Sequence, residues 1–246
     1  MSYNSQSASR QSMDGAEFTF WRDHTTIALS PVAAPSVLGL FGFGASTFIV
    51  ATNLAGWWGS TATSPTFLFP FAAMFGGLAQ FLAGMWAYRA RDTLATAMHG
   101  IWGAFWLGYG ILYLFVAVGV LHPPTPFRPL GFVFAALAAI TWSGTIAALA
   151  LNLSVASVLG TLAAGATCEA VGMIAGSGPW RTVGAYFFIA SAILGWYAAT
   201  ALLFEASFKR VILPVGRPSA SPNRPGRPPS EPIQYRAGEP GVKIGQ

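Results

Sequence analysis

Six long apolar segments dominate the chain, separated by short polar breaks. They run from about 37 to 57, 67 to 88, 94 to 121, 130 to 151, 154 to 175 and 183 to 208. No Asp, Glu, Lys or Arg occurs between Asp23 and Arg89, between Asp92 and Arg128, or between Arg128 and Glu169. A charge-poor apolar run of about 20 residues is long enough to cross the hydrocarbon core at a rise of about 1.5 Å per residue. Lipid offers no partner for backbone N–H and C=O groups, so each run is predicted to be an α-helix. The alternating segments of a membrane barrel are absent. The breaks carry turn chemistry: Gly59-Ser60, Ser64-Pro65, Pro123-Pro124 with Pro126, and Gly176 through Pro179. The pattern predicts an all-α polytopic membrane protein built on a six-helix transmembrane bundle.

Composition strengthens this reading. The 246 residues are 54% hydrophobic and 9% charged, against roughly 25% charged in an average soluble domain. A soluble enzyme, a secreted disulfide framework and a disordered chain are excluded. The one cysteine, Cys168, makes no intrachain bridge and calls for no oxidising compartment. Residues 1–35 are polar, lack an apolar core behind a positive charge, and read as a cytoplasmic tail and not as a signal peptide. Residues 36–216 form the transmembrane domain. Residues 217–246, rich in Pro, Arg, Gly and Ser, read as a disordered cytoplasmic tail. With the N-terminus inside, eleven of the thirteen basic residues fall on the cytoplasmic side, and only Arg128 and Arg181 lie outside. Both termini are therefore expected in the cytoplasm, with the plasma (inner) membrane as location. Trp57, Trp58, Tyr88 and Trp180 stand near span ends, as interfacial aromatics do. Of the net charge of +5, the C-terminal tail carries +3. No aromatic-interleaved basic surface accompanies it, so nucleic acid is not an expected partner.

Inside the spans, small residues cluster. Gly39, Gly42 and Gly44 in the first span, and Gly76, Gly77 and Gly84 in the second, are expected to let helix backbones approach closely. Bulky Phe41, Phe43, Phe71 and Phe75 stand among them.

Several segments resemble the acetate uptake transporter family, which includes bacterial succinate–acetate permeases and fungal acetate and ammonia-export proteins. Pro35-Ser36-Val37-Leu38-Gly39-Leu40-Phe41-Gly42-Phe43-Gly44 is similar to its amino-terminal signature. Phe75-Gly76-Gly77-Leu78-Ala79-Gln80 followed by Ala83-Gly84, then Gly103-Ala104-Phe105-Trp106, Ile174-Ala175-Gly176 and Phe208 through Gly216 follow in the family's order. Departures are Ala34 in place of the signature Asn, Val37 in place of its second Pro, and Ala87 in place of a Glu. The resemblance implies rings of six subunits, each with its own pore for small carboxylates, chiefly acetate, with succinate as a second candidate. It implies a neck of three apolar side chains matching Phe43, Phe75 and Phe134, and it implies that Thr167 influences which acid is accepted.

A carboxylate crossing such a neck needs hydrogen-bond donors on either side, since its charge is costly to move through hydrocarbon, and apolar constrictions gate by dewetting. Gln80, Ser46, Thr47, Thr141 and Thr167 are the candidate substrate-binding residues; the alternative for each hydroxyl is a bond to the carbonyl one turn back. With Phe where relatives often have Tyr, position 75 is expected to make the neck drier. Glu169 is the one carboxylate deep in a span, where relatives have an apolar residue. An intramembrane ionisable group marks function by default. Proton coupling, anion repulsion, or a bond to a neighbouring helix or the outer interface are its three readings. His99 titrates near neutrality in its free form and is either an interfacial residue or a proton relay. No Cys, His or carboxylate set has metal-ligand spacing, and no cofactor is implied. Ser143 with His99 as an intramembrane catalytic dyad, a purely structural bundle, and an ammonium or neutral-solute pathway are the competing readings.

Overall fold

The computed structural model describes residues 33–123, 127–208 and 210–218. The expected N-terminal tail up to residue 32, the C-terminal tail beyond Pro218, and Pro124 and Pro126 lie outside the described residues. Six helices account for the rest: α1 (Pro35–Leu54), α2 (Pro65–Ala90), α3 (Thr93–Ala117), α4 (Arg128–Leu149), α5 (Leu153–Ala175) and α6 (Gly178–Phe208). All six are long and apolar enough to cross a membrane. The predicted segments are recovered in number and order, with ends displaced by a few residues.

The helix ends follow from local chemistry. Pro stands at the start of α1, α2 and α4, where its missing N–H costs nothing. Asp92 caps α3 by accepting from the Ala95 N–H at 2.9 Å, and Asn152 caps α5 by accepting from the Val155 N–H at 2.8 Å. Gly176 closes α5 at φ 70°, a left-handed conformation that glycine adopts without a Cβ penalty. The first amides of α5 also donate to the segment after α6, Leu153 N–H to Gly216 O and Ser154 N–H to Val215 O, both at 3.0 Å. Arg217 continues that segment and grips Glu205 of α6 through two hydrogen bonds of 2.8 and 2.6 Å. The tail expected to begin at Arg217 is thus anchored at its first residue.

Consecutive helices pack side by side and α1 meets α6, so the six form a closed antiparallel ring. Glycines set its tightest seams. Gly39 faces the His99 ring, Gly44 the Trp196 indole of α6, Gly76 the Trp106 indole and Gly77 Leu107. Gly42 lies against the Phe75 carbonyl, and Gly84 against the backbone of Gly100. In lipid, where apolar side chains gain nothing by leaving the solvent, such close approach is what holds helices together. A Cβ at Gly84 would stand 2.7 Å from the Gly100 nitrogen, a backbone atom with no freedom to yield. Gly84→Val should therefore cost about 1–3 kcal/mol through overpacking and lower the yield of monodisperse protein in detergent. Gly108→Ala, with nothing within 4 Å of the new methyl, should leave that yield unchanged.

The α2 helix carries one irregularity. Pro70 lies inside it, and Ala72–Ala79 winds as a π-helix. Proline removes an amide and crowds the carbonyl four residues back, and a wider turn follows directly. π-Segments within α-helices occur often at functional sites. Within this segment Gly76 and Gly77 lie against Trp106 and Leu107 of α3, and Met74 and Phe75 are 60% and 46% exposed.

Candidate functional site: an aromatic vestibule closed at mid-bundle

The ring encloses a cavity of about 60 Å³. One water needs roughly 10–15 Å³ by the same measure, so the space suits a solute of a few heavy atoms. Its lining comes from the middle and C-terminal parts of α1, α3 and α5, the N-terminal portions of α2, α4 and α6, and Thr61 between α1 and α2. In an antiparallel ring these are all at one end, so the cavity is a vestibule at that end.

The innermost lining residue on each helix but α2 defines the floor: Thr47 on α1, Trp102 on α3, Phe134 on α4, Leu162 on α5 and Phe188 on α6. Trp102 is 2% exposed, and its orientation is fixed. Its indole N–H donates to Thr141 Oγ1 at 3.0 Å, and the Thr141 hydroxyl donates to the Leu137 carbonyl at 2.6 Å. Above the floor an aromatic wall climbs α3. Phe105 sits 5.4 Å from both Trp102 and Phe134, Trp106 lies 5.4 Å from Tyr109, and Tyr109 lies 4.5 Å from Tyr113, ring centre to ring centre. Phe134 and Phe188 continue it across to α6 at 6.0 Å. Tilted and edge-on rings of this kind form a rigid, low-entropy surface.

A few polar groups interrupt the apolar lining. Thr47 Oγ1 and Trp106 Nε1 are buried with no hydrogen-bond partner among the described residues. Buried polar atoms are normally paired, so these two unpaired ones, on side chains that line the cavity, stand out. The Ser46 hydroxyl is also unpaired, on the seam where α1, Gly76 and Trp106 meet. Among the described residues Arg181 is the one charged residue of the lining, and its Nε stands 3.4 Å from Glu169 Oε2.

The expected site residues divide accordingly. Phe134 lies in the floor, and Phe43 lies one helical turn beneath Thr47, buried against Gly195 of α6. Phe75 is not among the residues lining this cavity; it is 46% exposed, on the same stripe of α2 as Phe71, Leu78 and Leu82. Phe75→Tyr should accordingly leave the ratio of acetate to succinate flux unchanged, and a shifted ratio would return this side chain to the path. Thr141 and Thr167 hydroxyls donate to the carbonyls of Leu137 and Ala163, one turn back. Thr141 positions Trp102, whereas Thr167 accepts from the exposed Trp142 indole at 3.3 Å, away from the cavity lining. Gln80 and His99 are buried, with Gln80 Oε1 and His99 Nδ1 unpaired. Gln80 precedes Phe81, whose backbone abuts Gly103, so it lies level with the floor. His99 is one turn beyond Trp102, away from the vestibule. The Ser143 hydroxyl donates to the Ala139 carbonyl while His99 packs on Gly39, so these two form no dyad.

Trp102, Trp106, Tyr109, Tyr113, Leu162 and Phe188 were not among the expected site residues. The α3 aromatics recur at positions 102, 105, 106, 109 and 113, the spacing of one helical face, and that stripe was the signal available in the sequence.

The sequence profile of the GPR1/FUN34/yaaH family matches residues 19–217, spanning all six helices. The chain belongs to this family. Among individual relatives, it is 34% identical over 91 residues to ammonia transport outward protein 2 of Saccharomyces cerevisiae, covering 36% of this chain and 32% of that protein. It is 27% identical over 93 residues to the succinate-acetate/proton symporter SatP of Escherichia coli K12, covering 38% of this chain and 47% of that one. The matched segments thus span less than half the length of either relative. Among solved structures, the bacterial acetate channel SatP superposes with a TM-score of 0.70 at 23% identity, covering 76% of this chain and the whole of that one. The six-helix fold of this GPR1/FUN34/yaaH member is therefore the fold of that channel.

Proposed function

We propose that this GPR1/FUN34/yaaH member is a non-enzymatic membrane channel or transporter for small monocarboxylates, chiefly acetate, with succinate as a second substrate. The observation that carries the reading is the vestibule itself: an aromatic cavity of a few heavy atoms' size, with unpaired Thr47 and Trp106 groups in its wall and one cation, Arg181, in its lining. Acetate has a methyl end that suits the rings and a charged end that suits the donors. The floor of Trp102, Phe134, Leu162 and Phe188 with Thr47 separates this space from the unpaired atoms of Gln80 and His99. A carboxylate released by Thr47 and Trp106 meets the next polar groups at and beyond the floor, and the apolar seal between them excludes hydrated ions by dewetting.

The names of the relatives support acetate over ammonium in part, since one of them is an ammonia transport protein. The chemistry of the lining favours the anion. Ammonium needs acceptors, and a cation in the lining repels it. The domain plan follows the same reading: polar cytoplasmic tails around a membrane domain, both termini inside, the plasma membrane as site, and a homo-oligomer of six subunits. The broad outward apolar surfaces of α2, α3 and α4, with Phe67, Trp86, Ile111 and Phe132 exposed, suit contact with lipid or with neighbouring subunits. In proteoliposomes, labelled acetate should enter in a saturable manner and labelled methylammonium should not. Entry of methylammonium in place of acetate would favour the ammonium pathway, and entry of neither would favour a structural role.

A further inference from the structure

Two charged residues stand out because a carboxylate pore has no evident need for them. Glu169 of α5 is fully buried in the hydrophobic layer, and Arg181 of α6 lies across from it. The Arg181 stem fits because Gly172, one turn from Glu169, has no side chain: a Cβ there would collide with Arg181 Cγ. Gly184, one turn from Arg181, likewise clears the Glu169 Cγ, which a Cβ there would approach to 3.2 Å. The α5–α6 seam is therefore shaped around this pair.

Its geometry is incomplete as an ion pair. The contact is a single 3.4 Å approach from Arg181 Nε, with Glu169 Oε1 buried and without a partner. Arginine prefers a two-bond fork to a carboxylate, as Arg217 achieves on Glu205. Arg181 instead keeps both terminal nitrogens free of any partner among the described residues, remains 37% exposed, and lines the vestibule. Glu169 thus holds the guanidinium at Nε and leaves the two terminal nitrogens for a ligand.

We propose that Arg181 is the anion-capture and charge-selectivity residue of the vestibule, and that Glu169 is its positioning residue. An ionised small carboxylate docks on the free edge of the guanidinium and is then passed down the aromatic wall to Trp106 and Thr47. Glu169 orients the fork and, by sharing the positive charge, keeps capture weak enough for release, since conduction requires a site that binds without trapping. The pair also explains why Glu169 is tolerated in an anion path: Arg181 stands between it and the cavity and cancels its repulsion. This inference rests on the carboxylate reading of the vestibule.

The test is concentration-dependent acetate influx into proteoliposomes, at low and high ionic strength. Arg181→Gln should raise the half-saturating acetate concentration roughly tenfold, the loss expected for a hydrogen bond to a charged group, with maximal flux little changed. Arg181→Lys should restore part of the affinity. Glu169→Gln should act oppositely, lowering the half-saturating concentration and the maximal flux together, a split that a merely structural carboxylate would not produce. In the wild type, the half-saturating concentration should rise with salt, as screening weakens capture, and in Arg181→Gln this dependence should vanish. Because Arg181→Gln alone strands a buried carboxylate, the Arg181→Gln/Glu169→Gln double variant provides a neutral version of the seam and should show the same weakened affinity. Unchanged affinity in folded Arg181→Gln or in the double variant overturns the assignment, as does a salt-independent wild type if neither variant folds. If wild-type protein passes acetate and these variants do not differ from it, only the role of Arg181 falls. If the wild type passes no acetate, the carboxylate reading falls and this inference with it.

Discussion

Trp102→Ala is expected to turn the vestibule into an open passage. Succinate flux should rise at least roughly tenfold relative to acetate, which corresponds to lowering one barrier by about 1.4 kcal/mol, and acetate influx should lose its saturation. The indole is the largest side chain of the floor, it is buried, and its hydrogen bond to Thr141 prevents it from swinging aside. Removing it extends the vestibule toward His99, one turn along α3. Thr141 keeps its bond to the Leu137 carbonyl, so the change strands no polar group. The stability cost follows from the cavity and should be about 3–5 kcal/mol. Leu162→Ala offers a gentler version of the same opening, removing the floor's aliphatic side chain on the facing helix. Paired uptake measurements with labelled acetate and succinate check both variants, and an unchanged flux ratio in both would show that this floor is not the barrier.

Trp106→Phe should carry the second-largest effect, an increase of roughly tenfold in the half-saturating acetate concentration. The replacement preserves an aromatic ring against Gly76 and Phe105 and deletes the unpaired N–H. A hydrogen bond from such a donor to a charged group is worth about 1.5–3 kcal/mol, and because the donor meets no protein partner its removal should leave stability nearly unchanged. Thr47→Val, which deletes the other unpaired group of the lining, should act in the same direction, and the double variant should exceed either alone. Direct titration of purified protein with acetate, beside a melting curve, separates loss of binding from loss of fold. Equal binding in wild type and Trp106→Phe would remove the indole from the site.

The helices were legible because a membrane solvent imposes a simple rule on the chain: long charge-free runs, ended by Pro, Gly and capping Asp92 or Asn152. The tightness of the seams was legible too, since Gly39, Gly44, Gly76 and Gly84 are where neighbouring rings and backbones enter. The site was less so. Phe75 reads as a neck residue through the family resemblance, yet it falls on the exposed stripe of α2 with Phe71, Leu78 and Leu82. Thr141 and Thr167 look alike as hydroxyls, yet one braces Trp102 and the other meets an exposed Trp142. That difference depends on helix rotation about the bundle axis. The α3 aromatic stripe was in plain view by its spacing, but spacing does not say which face of a helix meets a cavity and which meets packing. Glu169 drew notice as a buried charge, while its partner, twelve residues along the chain, needed the α5–α6 turn to bring it near.

The most direct test of the account asks whether acetate travels through this vestibule. Leu130 lines the cavity on α4, and Cys168 is the one native thiol. Leu130→Cys in a Cys168→Ser background should be modified by a membrane-impermeant thiol reagent, and labelled acetate influx should fall in proportion to modification, with acetate slowing the labelling. Complete modification with unchanged influx would contradict the account, as would an unmodified protein that passes no acetate.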